Sequence, residues 1–195
     1  MPEHIRSVAV FCGSRPGHDP VHAAAARALG EGLARAGITL VYGGGGVGLM
    51  GVVAQAALAA GGRVRGVIPD FLMRAEKALP GLREIEVTPS MHARKTRMFE
   101  LSDAFVALSG GLGTLDETVE ILTWRQLGLH EKPVILMDVA GWARPLLALV
   151  DAMIAQGFVA EGHRAMIQVA PDVPAVLEML RRAPSPETAA PATRL

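Results

Sequence analysis

The chain has 195 residues, half of them hydrophobic, and its 19 basic and 19 acidic side chains give a formal net charge of zero. This balance gives no electrostatic reason to expect nucleic acid or an anionic membrane as the main partner. A chain of this length can bury about 70% of its unfolded surface in a single domain.

Cysteine content and hydropathy indicate the compartment. Cys12 is the single cysteine, so it cannot form an intrachain disulfide, and its apolar surroundings predict a small buried side chain. The apolar run near the N-terminus is too short for a secretory signal, and no stretch approaches about 18 uninterrupted apolar residues. We therefore expect a protein of the reducing cytoplasm with no membrane partner.

Predicted strands and helices alternate along the chain. Apolar runs predict strands, and Ala-rich or amphipathic segments predict helices. The predicted strands are 8–12, 38–42, 63–68, 84–87, 104–108, 133–137 and 166–169, and the predicted helices are 22–36, 52–60, 90–101, 119–127, 145–155 and 173–182. This order favours right-handed βαβ units and a doubly wound parallel sheet, an α/β Rossmann-like domain covering residues 1–182. Residues 183–195 are rich in Pro, Ala and Thr and predict a disordered tail.

Three glycine-bearing loops follow predicted strands, at residues 13–17, 43–51 and 109–114. In open α/β sheets, ligands bind beyond the carboxyl ends of the strands. We therefore expect the three loops to converge on one crevice.

The third of these loops carries the strongest signal. Its glycines let the backbone approach a ligand closely, and the helix that follows offers unpaired N–H groups and the positive end of its dipole. The sequence therefore predicts a phosphate-binding segment, consisting of Gly110, Gly111, Leu112, Gly113, Thr114, Leu115, Asp116 and Glu117.

Thr114 and Glu117 have two interpretations, which do not exclude each other. The first is a capping box, with Thr114 as the N-cap and Glu117 reaching back to its N–H. The second makes Glu117 a catalytic carboxylate near the helix N-terminus, facing the group attached to the phosphate.

A second glycine pattern, G-x-G-x-x-G at residues 46–51, suggests a dinucleotide site with Asp70 as its acidic partner. However, the loop follows the second predicted strand instead of the first, and Asp70 comes after a proline at a predicted helix start. Close packing of helix on strand, together with a wall for a mononucleotide, explains the same glycines.

A basic cluster lies on the predicted helix 90–101. Met91, Arg94, Lys95 and Met98 share one helical face, so two soft apolar side chains lie beside two cations. One interpretation is a half-buried helix whose cations extend to solvent. The other is a ligand wall, with methionines against a flat ring and cations against phosphate or ribose oxygens. We expect His92 to be a surface residue.

Taken together, these stretches resemble the Lonely-guy family of cytokinin riboside 5′-monophosphate phosphoribohydrolases, long labelled lysine decarboxylases. The resemblance covers nearly the whole body and is carried by residues 11–14, 42–45, 48–51, 66–69, 91–98, 102–105, 110–117 and 123–128. The family pattern P-G-G-x-G-T-x-x-E is present except that Ser109 stands where proline is usual. Because serine lacks the ring of proline, we expect a less rigid entry to the loop.

The resemblance implies that Arg94 and Glu117 are the catalytic pair. It implies substrate contacts at Glu76, Lys95, Gly111 through Thr114 and Thr123, and we expect Ser14 to assist with the phosphate. The implied reaction hydrolyses the N-glycosidic bond of an N6-modified adenosine monophosphate to free base and ribose 5-phosphate. The family also implies a homodimer with residues of both subunits near the crevice, to which helix 119–127 is a candidate contact.

Two other functions remain open at this stage. A nucleotide or cofactor carrier would bind a phosphorylated ligand in the same crevice without turning it over. A decarboxylase would need a lysine that forms a Schiff base with pyridoxal phosphate, and none of Lys77, Lys95 and Lys132 lies in a convincing setting. For the hydrolase we expect no metal and no cofactor, since the six histidines are scattered and show no ligand spacing.

Overall fold

A computed structural model gives the fold and describes residues 5–73 and 79–184. Within those residues the strands are β1 (Ser7–Phe11), β2 (Thr39–Tyr42), β3 (Val64–Pro69), β4 (Glu84–Thr88), β5 (Ala104–Ala107), β6 (Val134–Met137) and β7 (Ile167–Ala170). The helices are α1 (Pro20–Arg35), α2 (Gly48–Ala59), α3 (Asp70–Met73), α4 (Met91–Glu100), α5 (Leu112–Gln126), α6 (Arg144–Ala155) and α7 (Val173–Arg182).

The strands form one parallel sheet in the order β4-β3-β2-β1-β5-β6-β7. This confirms the predicted doubly wound α/β fold. Helix α3 begins at Asp70, where a helix start was predicted, but two short 3-10 helices, at Val139–Gly141 and Glu161–Met166, were not predicted. They are one to two turns long, too short for an apolar period to register.

The two faces of the sheet carry separate apolar layers. Along β1, Val8 and Val10 pack with helices α1, α2 and α7, whereas Ala9 and Phe11 pack with α4 and α5. This alternation follows from the two-residue period of a strand. Burial on both faces explains why the strands read as continuous apolar runs.

The order of the strands reverses between β1 and β5. Here the loop after β1 crosses the starts of two helices, because Gly13 N donates to Ser109 O at 3.0 Å and Gly13 O accepts from Leu49 N at 2.9 Å. The three predicted glycine loops therefore meet at the carboxyl end of the sheet, as expected.

Some predictions fall outside the described residues or concern membranes. Glu76, Lys77 and the segment from residue 185 onward lie outside the described ranges, so the expected tail is described only at residues 183 and 184. Within residues 5–73 and 79–184, none of the helices has both the length and the apolar character needed to cross a membrane.

Candidate functional site

A small polar pocket of about 160 Å³ lies where the end of β1 meets the start of α5. It brings a buried ion pair together with the first turn of a helix. Its lining consists of Cys12, Gly13, Ser14, Met50, Arg94, Gly111, Leu112, Gly113, Thr114 and Glu117.

The first turn of α5 provides the anion-binding part of this pocket. Gly111 is the N-cap residue and, having no side chain, leaves the first backbone N–H groups uncapped by its own atoms. These N–H groups have no acceptor within the helix, and the helix dipole places partial positive charge on them. Such a terminus attracts phosphate, and it lies within the segment that the sequence predicts to bind one.

The capping-box interpretation is wrong. Helix α5 begins at Leu112, which puts Thr114 and Glu117 inside the helix and not at its cap. Thr114 is buried, and a Cβ on residue 110 would lie 2.0 Å from its Oγ1. Thr114 therefore packs over Gly110, and only glycine fits beneath it.

Arg94 and Glu117 form the ion pair. The Nη2 of Arg94 lies 3.3 Å from Oε1 of Glu117, and the two residues are only 5% and 7% exposed. Arg94 also donates from Nε to the carbonyl of Val67 at 3.2 Å. Arg94 therefore does not extend to solvent, and the ligand-wall interpretation of the basic cluster fits this residue.

A buried ion pair is expensive. Removing each charge from water costs several kcal/mol, and the attraction between the charges rarely exceeds that cost. Buried charges at a cleft are enriched at functional sites for this reason. The pair is therefore better explained by chemistry at the pocket than by stability.

The glycine loop after β2 makes room for the guanidinium. A Cβ on Gly43 would lie 2.0 Å from Nη2 of Arg94 and 3.1 Å from Sδ of Met50. Gly48 has a φ of +58°, and a Cβ there would lie 2.2 Å from the carbonyl carbon of Ser14. Close packing thus explains this loop, and Asp70, the candidate dinucleotide partner, is an exposed residue at the start of α3.

Lys95 lies beside the pocket and not in its lining. Its Nζ is 3.1 Å from Oδ2 of Asp116 and 2.9 Å from Oε2 of Glu120. Burial lowers the pKa of the ammonium, but the hydrogen bonds that it donates to Glu120 and Asp116 outweigh that effect and raise the pKa overall. Lys95 therefore stays charged and joins α4 to α5.

The other residues predicted at the site differ in how close they lie to the pocket. Ser14 lines the pocket and Met91 is half-buried, with Sδ 3.9 Å from Nη1 of Arg94. Leu115 is half-buried and Asp116 exposed, and Gly110 lines a neighbouring cavity. Thr123 is exposed and lies about 14 Å along the helix axis from Thr114 at 1.5 Å per residue.

Met98 is not part of a ligand wall. It is 1% exposed and packs in the apolar cluster that contains Phe99 and Phe105. The helical period puts it on the same face as Arg94, but α4 lies against the sheet. On this face, the N-terminal half of α4 thus lies at the crevice and the C-terminal half packs into the core.

Sequence reasoning missed two lining residues, Cys12 and Met50. Burial, and secondarily the negative charge of Glu117, raise the pKa of the Cys12 thiol, whereas Arg94 opposes the shift. The thiol is therefore neutral at physiological pH. A signal was available in the sequence, since Cys12 is the last residue of the first predicted strand and Met50 lies in the glycine loop after the second.

A second, larger cavity of about 540 Å³ lies on the other side of the loop after β1. It shares Gly13, Ser14, Gly111 and Leu112 with the polar pocket. The rest of its lining is Arg15, Pro16, Gly17, His22, Leu49, Ser109, Gly110 and Trp142. The start of α5 therefore forms a common rim between a polar and a mainly apolar space.

A parallel sheet with its order reversed at β1 and β5, and a glycine loop leading to a helix terminus there, defines a Rossmann-like α/β protein with a crevice at the switch point.

Comparison with known proteins identifies the family within this class. Residues 50–180 match the family described as "possible lysine decarboxylase". The cytokinin riboside 5′-monophosphate phosphoribohydrolase of Rhodococcoides fascians is 44% identical over 177 residues, which cover 90% of this chain and 89% of that protein. The enzyme of that name from Arabidopsis thaliana is 43% identical over 176 residues, 90% of this chain and 81% of the relative.

The chain therefore belongs to the Lonely-guy family of cytokinin riboside 5′-monophosphate phosphoribohydrolases, as the motifs suggested. Among solved structures, the molybdenum cofactor carrier protein of Chlamydomonas reinhardtii has a TM-score of 0.68 at 24% identity. The match covers 89% of this chain and 96% of that one. At this identity the likeness shows a shared fold.

The space at Gly43 yields a first prediction. Gly43→Ala should displace the Arg94 guanidinium and lower the kcat/KM of the family reaction about 10²-fold, the effect expected of a shift of roughly 1 Å in a reacting geometry. Gly162→Ala is the matched control, because a Cβ there meets open space. Steady-state kinetics of the two variants tests this, and equal activities would contradict the role given to Gly43.

Proposed function

We propose that the protein hydrolyses the N-glycosidic bond of N6-modified adenosine 5′-monophosphates, and of AMP, to release the free base and ribose 5-phosphate. The single observation that carries the proposal is the buried pair of Arg94 and Glu117 in the same pocket as the uncapped first turn of α5. The family relatives named for this activity support it.

In the proposed complex the 5′-phosphate lies against the backbone of Gly111 through Thr114. The N–H groups of this turn point their partial charges at the phosphate, and Ser14 at the pocket rim contributes its hydroxyl. Binding energy gained at the phosphate holds the ribose in the position where its bond to the base breaks.

Glu117 acts on the ribose. Breaking the bond between C1′ and the base nitrogen builds positive charge on the sugar ring, which a carboxylate beside the ring stabilises. Water attacks C1′, its hydroxyl remains on the sugar and its proton is transferred to the departing base. Glu117 is the group placed to orient or deprotonate that water.

Arg94 holds Glu117 and faces the same space. Its guanidinium is fixed by the Val67 carbonyl and by Glu117, so the carboxylate has a defined position before the substrate arrives. Positioned charges that need no reorganisation are the main source of electrostatic catalysis. Ribose and phosphate oxygens are the substrate groups that match the donors of Arg94.

The proposed reaction uses water alone as its second substrate and needs no cofactor. A pyridoxal phosphate decarboxylase, which the older family description suggests, needs a lysine in the pocket. Of the lysines that the structure describes, Lys95 is paired with two acids and Lys132 donates to the carbonyl of Phe99. The neutral, buried thiol of Cys12 suits the reducing cytoplasm that we propose as the setting.

Activity on nucleotides is the direct test. The purified protein should release base from AMP or isopentenyladenosine 5′-monophosphate without added cofactor, as measured by chromatography. The corresponding nucleosides should react far more slowly, because they lack the group that the α5 terminus binds. Intact monophosphates after prolonged incubation, together with tight binding by calorimetry, would support a carrier instead.

Replacing Glu117 separates charge from shape. Glu117→Gln should lower kcat about 10²- to 10³-fold, the cost of removing one positioned electrostatic group. Glu178→Gln on α7, which also loses ion pairs to arginines, is the control and should keep its activity. Glu117→Gln leaves the buried Arg94 without its charged pair, so thermal unfolding must show that this variant is still folded at the assay temperature. Full activity of a folded Glu117→Gln protein would overturn the proposed role.

We also propose that the protein is a homodimer in which α5 makes contact. Val119 and Leu127 are 46% and 68% exposed, and Thr123 lies between them on the same helical stripe. Thr123 is too far along α5 to reach the pocket of its own chain. The family resemblance implies residues of both subunits near the crevice, so the match of Thr123 to a family contact position is consistent with a dimer contact on this helix.

Charges on this stripe test the dimer. Val119→Glu or Leu127→Glu should raise the dimer Kd about 10²-fold or more, since the buried carboxylate costs several kcal/mol and each 1.4 kcal/mol is a factor of ten. Leu149→Glu on α6 is the control, because Leu149 is also exposed but lies on another helix. Sedimentation over a range of concentrations measures both. A dimer broken by the α6 charge and not by those on α5 would refute the assignment.

A further inference from the structure

The entry to the α5 loop is held by hydrogen bonds from three different parts of the fold. Gly13 N donates to the carbonyl of Ser109 at 3.0 Å, and the indole Nε1 of Trp142 donates to the carbonyl of Gly110 at 3.0 Å. The hydroxyl of Ser109 is hydrogen-bonded to Nδ1 of His22 at 2.8 Å. The two residues that precede the helix cap are therefore fixed by β1, α1 and the segment before α6.

The bond to His22 has a particular reason. Proline, usual at position 109 in the family pattern, fixes its own φ, whereas serine does not, and two glycines follow it. Ser109 is buried at the end of β5, and its hydroxyl reaches a different helix. The hydrogen bond between Ser109 and His22 thus restricts the entry to the α5 loop, which lacks the restriction that a proline ring would impose.

His22 is itself held in place. It lies in the first turn of α1, where Asp19 caps the helix by accepting from Val21 N at 2.9 Å and Pro20 begins it. His22 and Ser109 line the larger cavity, whereas Arg94 and Glu117 line the polar pocket. The two linings share a rim, which includes Gly111 and Leu112.

We propose that His22 is a positioning residue for the 5′-phosphate: through Ser109 it fixes the entry to the α5 loop. This inference rests on the proposed function for its substrate. Because His22 contacts the loop and not the ion pair, its removal should weaken phosphate binding, and so raise KM, more than it changes the bond-breaking step.

Kinetics separates these effects. His22→Ala should raise KM for the monophosphate about three- to tenfold, the range that one hydrogen bond supplies, with kcat within about twofold of the parent. Ser109→Ala, which removes the same bond from the other side, should give the same change. A fall in kcat at unchanged KM would refute the proposal.

Two further substitutions of His22 separate the effect of its hydrogen bond from the effect of its packing. His22→Asn keeps a polar atom near the position of Nδ1 and should restore KM, whereas His22→Phe fills the space without a hydrogen-bonding atom and should behave like His22→Ala. The reverse order would show that the ring acts by packing, and the proposal would fail.

The decisive experiment places His22→Ala in a Ser109→Pro background. The proline ring should fix the loop entry by itself, so that His22→Ala no longer changes KM. An equal effect in both backgrounds would refute the link through Ser109.

Amide hydrogen exchange gives a readout that does not depend on turnover. Exchange in the segment 109–114 should accelerate about three- to tenfold in His22→Ala and stay unchanged when the substitution is made in Ser109→Pro. This result would support the positioning role even if no nucleotide were hydrolysed. Unchanged exchange in His22→Ala would overturn it, whatever the activity.

Discussion

The crevice is built around a buried ion pair that the fold must stabilise from several directions. Arg94 and Glu117 each lose nearly all contact with water, and their mutual attraction alone does not offset that loss. The carbonyl of Val67 in β3 accepts from Arg94 Nε and satisfies a further donor. The missing side chain at Gly43 leaves the volume that the guanidinium fills. The pair therefore depends on the correct placement of β2, β3, α4 and α5 together.

The topology explains how two distant parts of the sequence form this pair. Helix α4 leads into β5 and α5 leaves it, and both helices pack on the same face of the sheet, where Met98 and Ile121 belong to one apolar cluster. With the two helices side by side, the N-terminal turn of α4 and the second turn of α5 reach the carboxyl edge of the strands. The connection of both helices to β5, together with their packing on one face of the sheet, thus brings the two charges together.

The sequence predicted the sheet and most helices because their apolar periods are long and regular. The start of α5 was not predictable in the same way, because Gly111 and Gly113 are both glycines that can end or begin a helix. In the structure the helix begins between them, with Thr114 packed over Gly110. Met98 was misplaced because periodicity assigns a face to a whole helix, whereas α4 turns one half of that face to the core. No role beyond membership of the loop 43–51 was predicted for Gly43, because its neighbour Arg94 lies far along the chain in α4.

Phosphate binding and bond breaking in the proposed reaction depend on different groups of the protein. In the proposed reaction, backbone N–H groups on the shared rim bind the phosphate. Their position depends on how the loop enters α5. The conformation of that entry is fixed by the hydrogen bonds that Ser109 and Gly110 make. Side chains on the polar side carry the charge that acts on the sugar, and they depend on the space beneath Gly43. Because the contacts that fix one set do not fix the other, the loop entry can change from proline to serine without moving the ion pair. The anion site is made of backbone and the reactive groups of the same pocket are side chains, so substitutions can change the reactive groups while the anion site is kept.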